Sequence, residues 1–161
     1  MKTSENTFKP EPTVAKIAVG ATIIATGLIA LFPAAAQSAN PADIAQLRET
    51  GICRACDLSG ADLTGEHLIG VDLRDANLSG TQLSYANLEG ADLTGATLID
   101  TDLSGAYLTN ASLDDAIIQN VDLSNSTLVY TSLEGADVDN VDLAGAQVLN
   151  TPISIGGSYD E

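Results

Sequence analysis

The chain contains no tryptophan, two phenylalanines and four tyrosines in 161 residues, although 45% of its residues are hydrophobic by type. So few large side chains exclude an ordinary globular core built on aromatic packing. Bases are also missing from most of the sequence. From Asp57 to the end there are 18 acidic residues and one base, Arg74, a balance of −17 against −16 for the whole chain. That asymmetry excludes binding to a nucleic-acid backbone, which requires Lys and Arg. One histidine, His67, and two cysteines leave no nucleophile–base set, phosphate loop or metal quartet to assemble. No enzymatic activity, cofactor or metal site is therefore expected.

What is present is a count in fives. From Leu58 every fifth residue is Leu through position 148, with Ile118, Val138 and Val148 the exceptions. Two residues before each stands a small or modest residue, such as Ala61, Ala76, Ala86 or Ala96. Two residues after stands Gly, Asn or Asp in 17 of the 19 cases between Gly60 and Asn150. Regular internal repetition of this kind is the mark of a solenoid. The central Leu and the preceding small residue face inward, and the chain turns after each central residue. A type II turn needs a positive φ at its third position, which Gly, Asn and Asp tolerate. Tyr85 and Tyr130 break that rule and are expected in turns of another type.

Four turns close a square coil of twenty residues. A period of twenty also appears independently: Ala61, Thr81, Thr101, Val121 and Val141 form one small-position column, with Asp62, Gln82, Asp102, Asp122 and Asp142 beside it. Between Cys53 and Ile153 there is room for about five coils, a rod about 25 Å long at ~4.8 Å per strand spacing. The expected fold is all-β, a quadrilateral β-helix with a short N-terminal capping helix. Pro152, lacking a donor, discourages strand pairing at the far end.

Residues 1–39 read as an export signal. Lys2, Lys9 and Lys16 precede the apolar run Ile17 to Phe32, and Pro33-Ala34-Ala35-Ala36 offers cleavage after Ala36, a better fit than cleavage after Ser38 or Ala39. The alternative is an uncleaved anchor, but sixteen helical residues rise ~24 Å, short of a ~30 Å hydrocarbon core. With the signal cleaved, no stable membrane insertion is expected. Residues 40–51 form the capping helix: Asn40 as N-cap, Pro41 in the first turn, an apolar stripe of Ile44, Ala45 and Leu47, and Gly51 as stop. Residues 52–153 carry the repeat and 154–161 a C-terminal tail. Cys53 and Cys56 both take inward positions across one tight turn, where a disulfide fits. A CxxC redox pair is the alternative.

Some twenty units such as Ala86-Asn87-Leu88-Glu89-Gly90 together give the chain a resemblance to the pentapeptide-repeat family, with consensus A(D/N)LXX, from Cys53 to about Ile153. The resemblance implies a right-handed β-helix with Leu columns inside. The order of signal, Asn-Pro-Ala-Asp helix, CxxC and repeats looks like small exported cyanobacterial members of the periplasm or thylakoid lumen. Glu66, at a position normally held by Ala, and the polar Ser126 depart from the pattern. If Glu66 points inward it must be paired, with Arg48 or Arg54 available, neutral, or drawn out to solvent.

Two surfaces stand out. Asp62, Asp102, Asp122 and Asp142 form an acidic column that keeps a rod soluble. DNA mimicry and weak Ca²⁺ or Mn²⁺ binding are lesser readings of it. One side of the square instead carries Ile69, Tyr107, Val129 and Leu149, bordered by Tyr85 and Tyr130, a contact surface for an unidentified protein partner. The leading reading is a non-enzymatic interaction or scaffold protein, and the second a thiol–disulfide active protein using Cys53 and Cys56.

Overall fold

The computed structural model describes residues 38–153. The signal read at residues 1–39 falls almost wholly outside them, as does the tail at 154–161. The described chain opens with one helix, α1 (Pro41–Thr50). Asn40 caps its start by accepting from the Ala42 N–H at 3.0 Å. Gly51 ends it in the left-handed region at φ 67°, its N–H returning to the Leu47 carbonyl. Leu47 is buried and Ile44 half-buried, but Ala45, assigned to the apolar stripe from sequence, is exposed.

After α1 the backbone winds so that each outward residue bridges its counterpart twenty positions on. Asp62 pairs with Gln82, Gln82 with Asp102, Asp102 with Asp122 and Asp122 with Asp142, all parallel. The same register joins five short strands: β1 (Thr97–Ile99), β2 (Ile117–Gln119) and β4 (Asp137–Asp139) in one stack, and β3 (Thr127–Val129) with β5 (Gln147–Leu149) in another. Leu63 N–H donates to the Gln82 carbonyl at 2.8 Å and Gln82 N–H returns to the Ala61 carbonyl at 2.9 Å. Repeated along the axis, this ladder satisfies backbone groups that the buried Leu columns would otherwise strand in an apolar interior. Leu63, Leu83, Leu103 and Leu123 form one inward row, fully buried or nearly so, and Leu143 continues it half-buried.

Every fifth residue from Ala55 to Asn150 lies at positive φ, between 49° and 70° apart from Gly135 and Gly145 at 73° and 74°. Tyr85 at 58° and Tyr130 at 55° are among them. Tyr85 corrects the expectation of a different turn, whereas Tyr130 meets it, in a bend without the closing hydrogen bond. Tyr85 occupies the same closed turn as the glycines, with Ala86 N–H on the Leu83 carbonyl at 3.0 Å. Its ring lies over the next corner of its column, where a Cβ built on Gly105 would meet it at 2.7 Å. Tyr130 follows β3, where the backbone stays extended through Val129. The ladder donors Tyr85 N–H to Ser104 and Tyr130 N–H to Leu149, both 2.9 Å, hold each in the left-handed conformation despite the cost of about 1–2 kcal/mol per residue.

The two ends differ. At the first, Asp57 is bound from both sides: its carbonyl accepts from Asn40 N–H and its own N–H donates to the Asp43 carboxylate, each at 2.9 Å. At the other, Val138, Val141 and Leu143 are only half-buried and Val148 is exposed among the described residues.

Candidate functional site: the rod surface

The outward positions are organised by two kinds of side-chain bond. Asp or Asn just before a central Leu turns back on its own backbone two residues later. Asp102 accepts from Ser104 N–H at 2.9 Å, Asp122 from Ser124 at 2.8 Å and Asp142 from Ala144 at 2.9 Å. These Asx turns give the acidic column a structural task. Asn serves equally, as Asn77 does for Ser79 and Asn87 for Glu89. At inward positions Thr81, Thr101, Thr131 and Thr151 each donate a hydroxyl to the carbonyl 23 residues earlier, Leu58, Leu78, Leu108 and Leu128, at 2.8–2.9 Å. Ser126 is fully buried and donates to the Leu123 carbonyl at 2.6 Å. Among the described residues no buried side-chain polar atom lacks a partner.

Three carboxyls are pulled below their ordinary value of 3.8. The Ser132 hydroxyl does this for Asp114, the Ser59 hydroxyl for Asp57, and the Thr64 hydroxyl and amide for Asp62. A depressed carboxyl contributes stability that is complete above the unfolded value, near 3.8, and is lost as pH falls through the lower folded value. Ser132→Ala is therefore expected to lower the melting temperature at pH 7 and to have a smaller effect at pH 3. Equal shifts at both pH values contradict this assignment.

Charge is segregated along the axis. Arg48 pairs with Glu66 at 2.8 Å, Arg54 with Asp72 at 2.5 Å, and Arg74 with Asp72 at 2.7 Å and Asp92 at 3.3 Å. Glu66, the departure from the repeat, is thus half-buried with its carboxylate drawn out to Arg48. The exposed Arg48–Glu66 and Arg74–Asp92 pairs are worth about 0–1 kcal/mol each, while Asp72, held by two arginines, is partly buried. Beyond Arg74 the described chain contains no Lys or Arg and 12 acidic residues from Asp75 to Asp142.

Cys53 and Cys56 form a disulfide with Cα atoms 5.3 Å apart. Cys53 is fully buried and Cys56 nearly so, and Cys53 Sγ lies 3.3 Å from the Asp43 carbonyl oxygen. Among the described residues no group of three His, Cys, Asp or Glu is placed to hold a metal, and no helix is long and apolar enough to cross a membrane.

The twenty-residue register places the six apolar candidates on or beside one side of the coil. His67, Asn87, Tyr107, Thr127 and Gln147 stack in register, with Ile69, Val129 and Leu149 alongside on the same side. Ile69 is 59% exposed, Tyr107 53% and Leu149 57%, while Val129 is half-buried. Tyr85 (69%) and Tyr130 (61%) stand at the corners on either side of this stripe. Its outward positions carry a single carboxylate, Glu89, whereas the neighbouring side carries Asp62, Asp102, Asp122 and Asp142. The neutrality of the stripe is legible only once the sequence is written in twenties.

The pentapeptide repeats family model matches in eight copies over residues 52–90, 86–125 and 116–148. The chain belongs to the pentapeptide repeat family, and its fold is a right-handed β-helix, with one short helix among the described residues. Similar solved structures include a pentapeptide repeat protein of the Arabidopsis thaliana thylakoid lumen, 30% identical over 71% of this chain and 74% of that one, TM-score 0.46. A pentapeptide repeat protein of Nostoc is 30% identical over 70% of this chain and 98% of that one, TM-score 0.49. HetL, a Nostoc pentapeptide repeat protein involved in heterocyst differentiation regulation, is 26% identical over 62% and 67%, TM-score 0.39. No curated protein matches the chain.

Proposed function

We propose that this protein is a non-enzymatic, exported interaction module, a rigid acidic rod of about five four-sided coils that docks a protein partner on the Tyr107 stripe. The observation that carries the reading is the exposure of Ile69, Tyr107 and Leu149 on one side of the coil, in two adjacent columns flanked by Tyr85 and Tyr130, where the outward positions carry one carboxylate, Glu89. Aromatic and aliphatic side chains gathered in this way bury apolar area on contact, and aromatics dominate the energetics of such surfaces. The compartment is read from residues 1–39, whose pattern fits export to a periplasm or thylakoid lumen. In an exported protein the acidic column meets no DNA-binding protein for which it could stand in as a DNA mimic. Its carboxylates are occupied with backbone N–H groups, which supports a structural role over cation binding.

The Cys53–Cys56 disulfide supports a second reading, thiol–disulfide exchange. Burial of both sulfurs and the nearby Asp43 carbonyl oxygen disfavour an attacking thiolate, so the structural role is preferred. The test of the leading reading is co-purification of the mature protein from its membrane-enclosed compartment, with Tyr107 and Val129 replaced by Asp in parallel. Partners are expected to be lost with the melting temperature nearly unchanged. An unchanged set of partners removes the stripe as the docking surface.

A further inference from the structure

We propose that the stripe's occupant is a cationic amphipathic polypeptide segment, apolar residues along its middle and Lys or Arg along both flanks. This rests on the docking surface proposed above and adds the chemistry of the partner. In the later coils the stripe carries no charge and presents Tyr107, Tyr130 and Leu149 exposed and Val129 half-buried, interleaved with the uncharged Thr109, Thr127 and Gln147. On one flank run Asp102, Asp122 and Asp142, stacked by their bridges. On the other lie Asp114 and Glu134, joined through Glu134 N–H to the Asp114 carboxylate at 2.9 Å.

No base answers these five carboxylates within the described residues. The three arginines sit at the opposite end of the rod, paired with Glu66, Asp72 and Asp92. An apolar centre with a charged rim is the anatomy of a protein interface, and the rim selects a partner of opposite sign. A second copy of this chain would set carboxylate rims against each other. Nucleic acid and anionic lipid surfaces meet the same repulsion.

The probe is a synthetic helical peptide with a leucine stripe between two rows of lysine, titrated into the full mature chain by fluorescence anisotropy. Its scrambled isomer serves as the control for charge alone. Tyr107→Ser, which leaves charge untouched, is expected to weaken binding about tenfold, roughly 1.4 kcal/mol. The triple variant Asp102→Asn, Asp122→Asn, Asp142→Asn retains the side-chain oxygens that close the Asx turns. It is expected to weaken binding at low salt and to flatten its salt dependence. Circular dichroism verifies that each variant is folded.

Equal binding of the scrambled isomer overturns the proposal, because charge alone would then suffice. Loss on Tyr107→Ser with no effect of salt or of the Asn variants overturns the cationic partner and leaves the docking stripe standing. No effect of Tyr107→Ser overturns both. Self-association through the stripe, seen by light scattering without peptide, replaces the proposed occupant with a second copy.

Discussion

Leu103→Ala is expected to destabilise the rod by about 2–5 kcal/mol, whereas Val148→Ala changes it by well under ~1 kcal/mol. The two positions are the same element of the repeat, yet Leu103 is fully buried and Val148 is 44% exposed. Above and below Leu103 in its row stand Leu83 and Leu123, so removing it leaves a void that the ladder prevents from collapsing. Carbonyl and amide bonds at 2.7–2.8 Å on this row fix the coil spacing independently of what fills it. Leu103→Asp is expected to prevent folding, since an unpaired carboxylate would sit in an aliphatic column. Urea unfolding of the single variants is the measurement. Equal losses at Leu103 and Val148 would show that the column does not supply the stability.

Leu47→Asp is expected to lower stability by a similar ~2–5 kcal/mol and, in addition, to shift the protein to larger species than the parent chain forms. Leu47 is the one buried residue of α1, and it belongs to the same apolar cluster as the first coil. Lifting the helix frees the Asp57 N–H and carbonyl from Asp43 and Asn40 and exposes the first rung of a parallel ladder. An open rung of this kind pairs with any other strand edge. Ala45→Asp, on the exposed face of the same helix, serves as the control and is expected to be neutral. Light scattering after size-exclusion chromatography gives the readout. A Leu47→Asp variant of the parent's size and stability would show that the helix is not a cap.

The winding was legible because a solenoid writes its interior chemistry twenty residues apart, and each row repeats what it packs against. Leu63, Leu83 and Leu103 announce one another through residue order alone. The side-chain bonds were less legible. Asp102 reads as a soluble surface residue, and only geometry shows its carboxylate closing the turn at Ser104. A signal existed in the recurrence of Ser or Thr two positions after Asp, as at Asp62, Asp92, Asp102 and Asp122. Thr81 and Thr101 looked merely small and β-branched, because a bond to a carbonyl 23 residues back has no local signature. Tyr85 was misjudged for the opposite reason. Its local preference opposes a left-handed corner, and the ladder bond to the Ser104 carbonyl together with the bare Gly105 against its ring, both on the next coil, override that preference. The apolar stripe was visible as residue types, but its isolation between carboxylate flanks depends on which columns become neighbours.

The five-residue unit and the twenty-residue bridge impose different symmetries on the same chain. An insertion of five residues keeps every Leu inside and every corner in place, so the interior accepts it. The exterior does not, because all that follows is rotated by a quarter turn. After an insertion between Ile69 and Asp102, Val129 and Leu149 would leave the column begun by Ile69 and Tyr107 that begun by His67, while Asp102, Asp122 and Asp142 would break step with Asp62. Length variation by single units is thus silent to the core and scrambles the outer pattern, and only whole-coil changes preserve both.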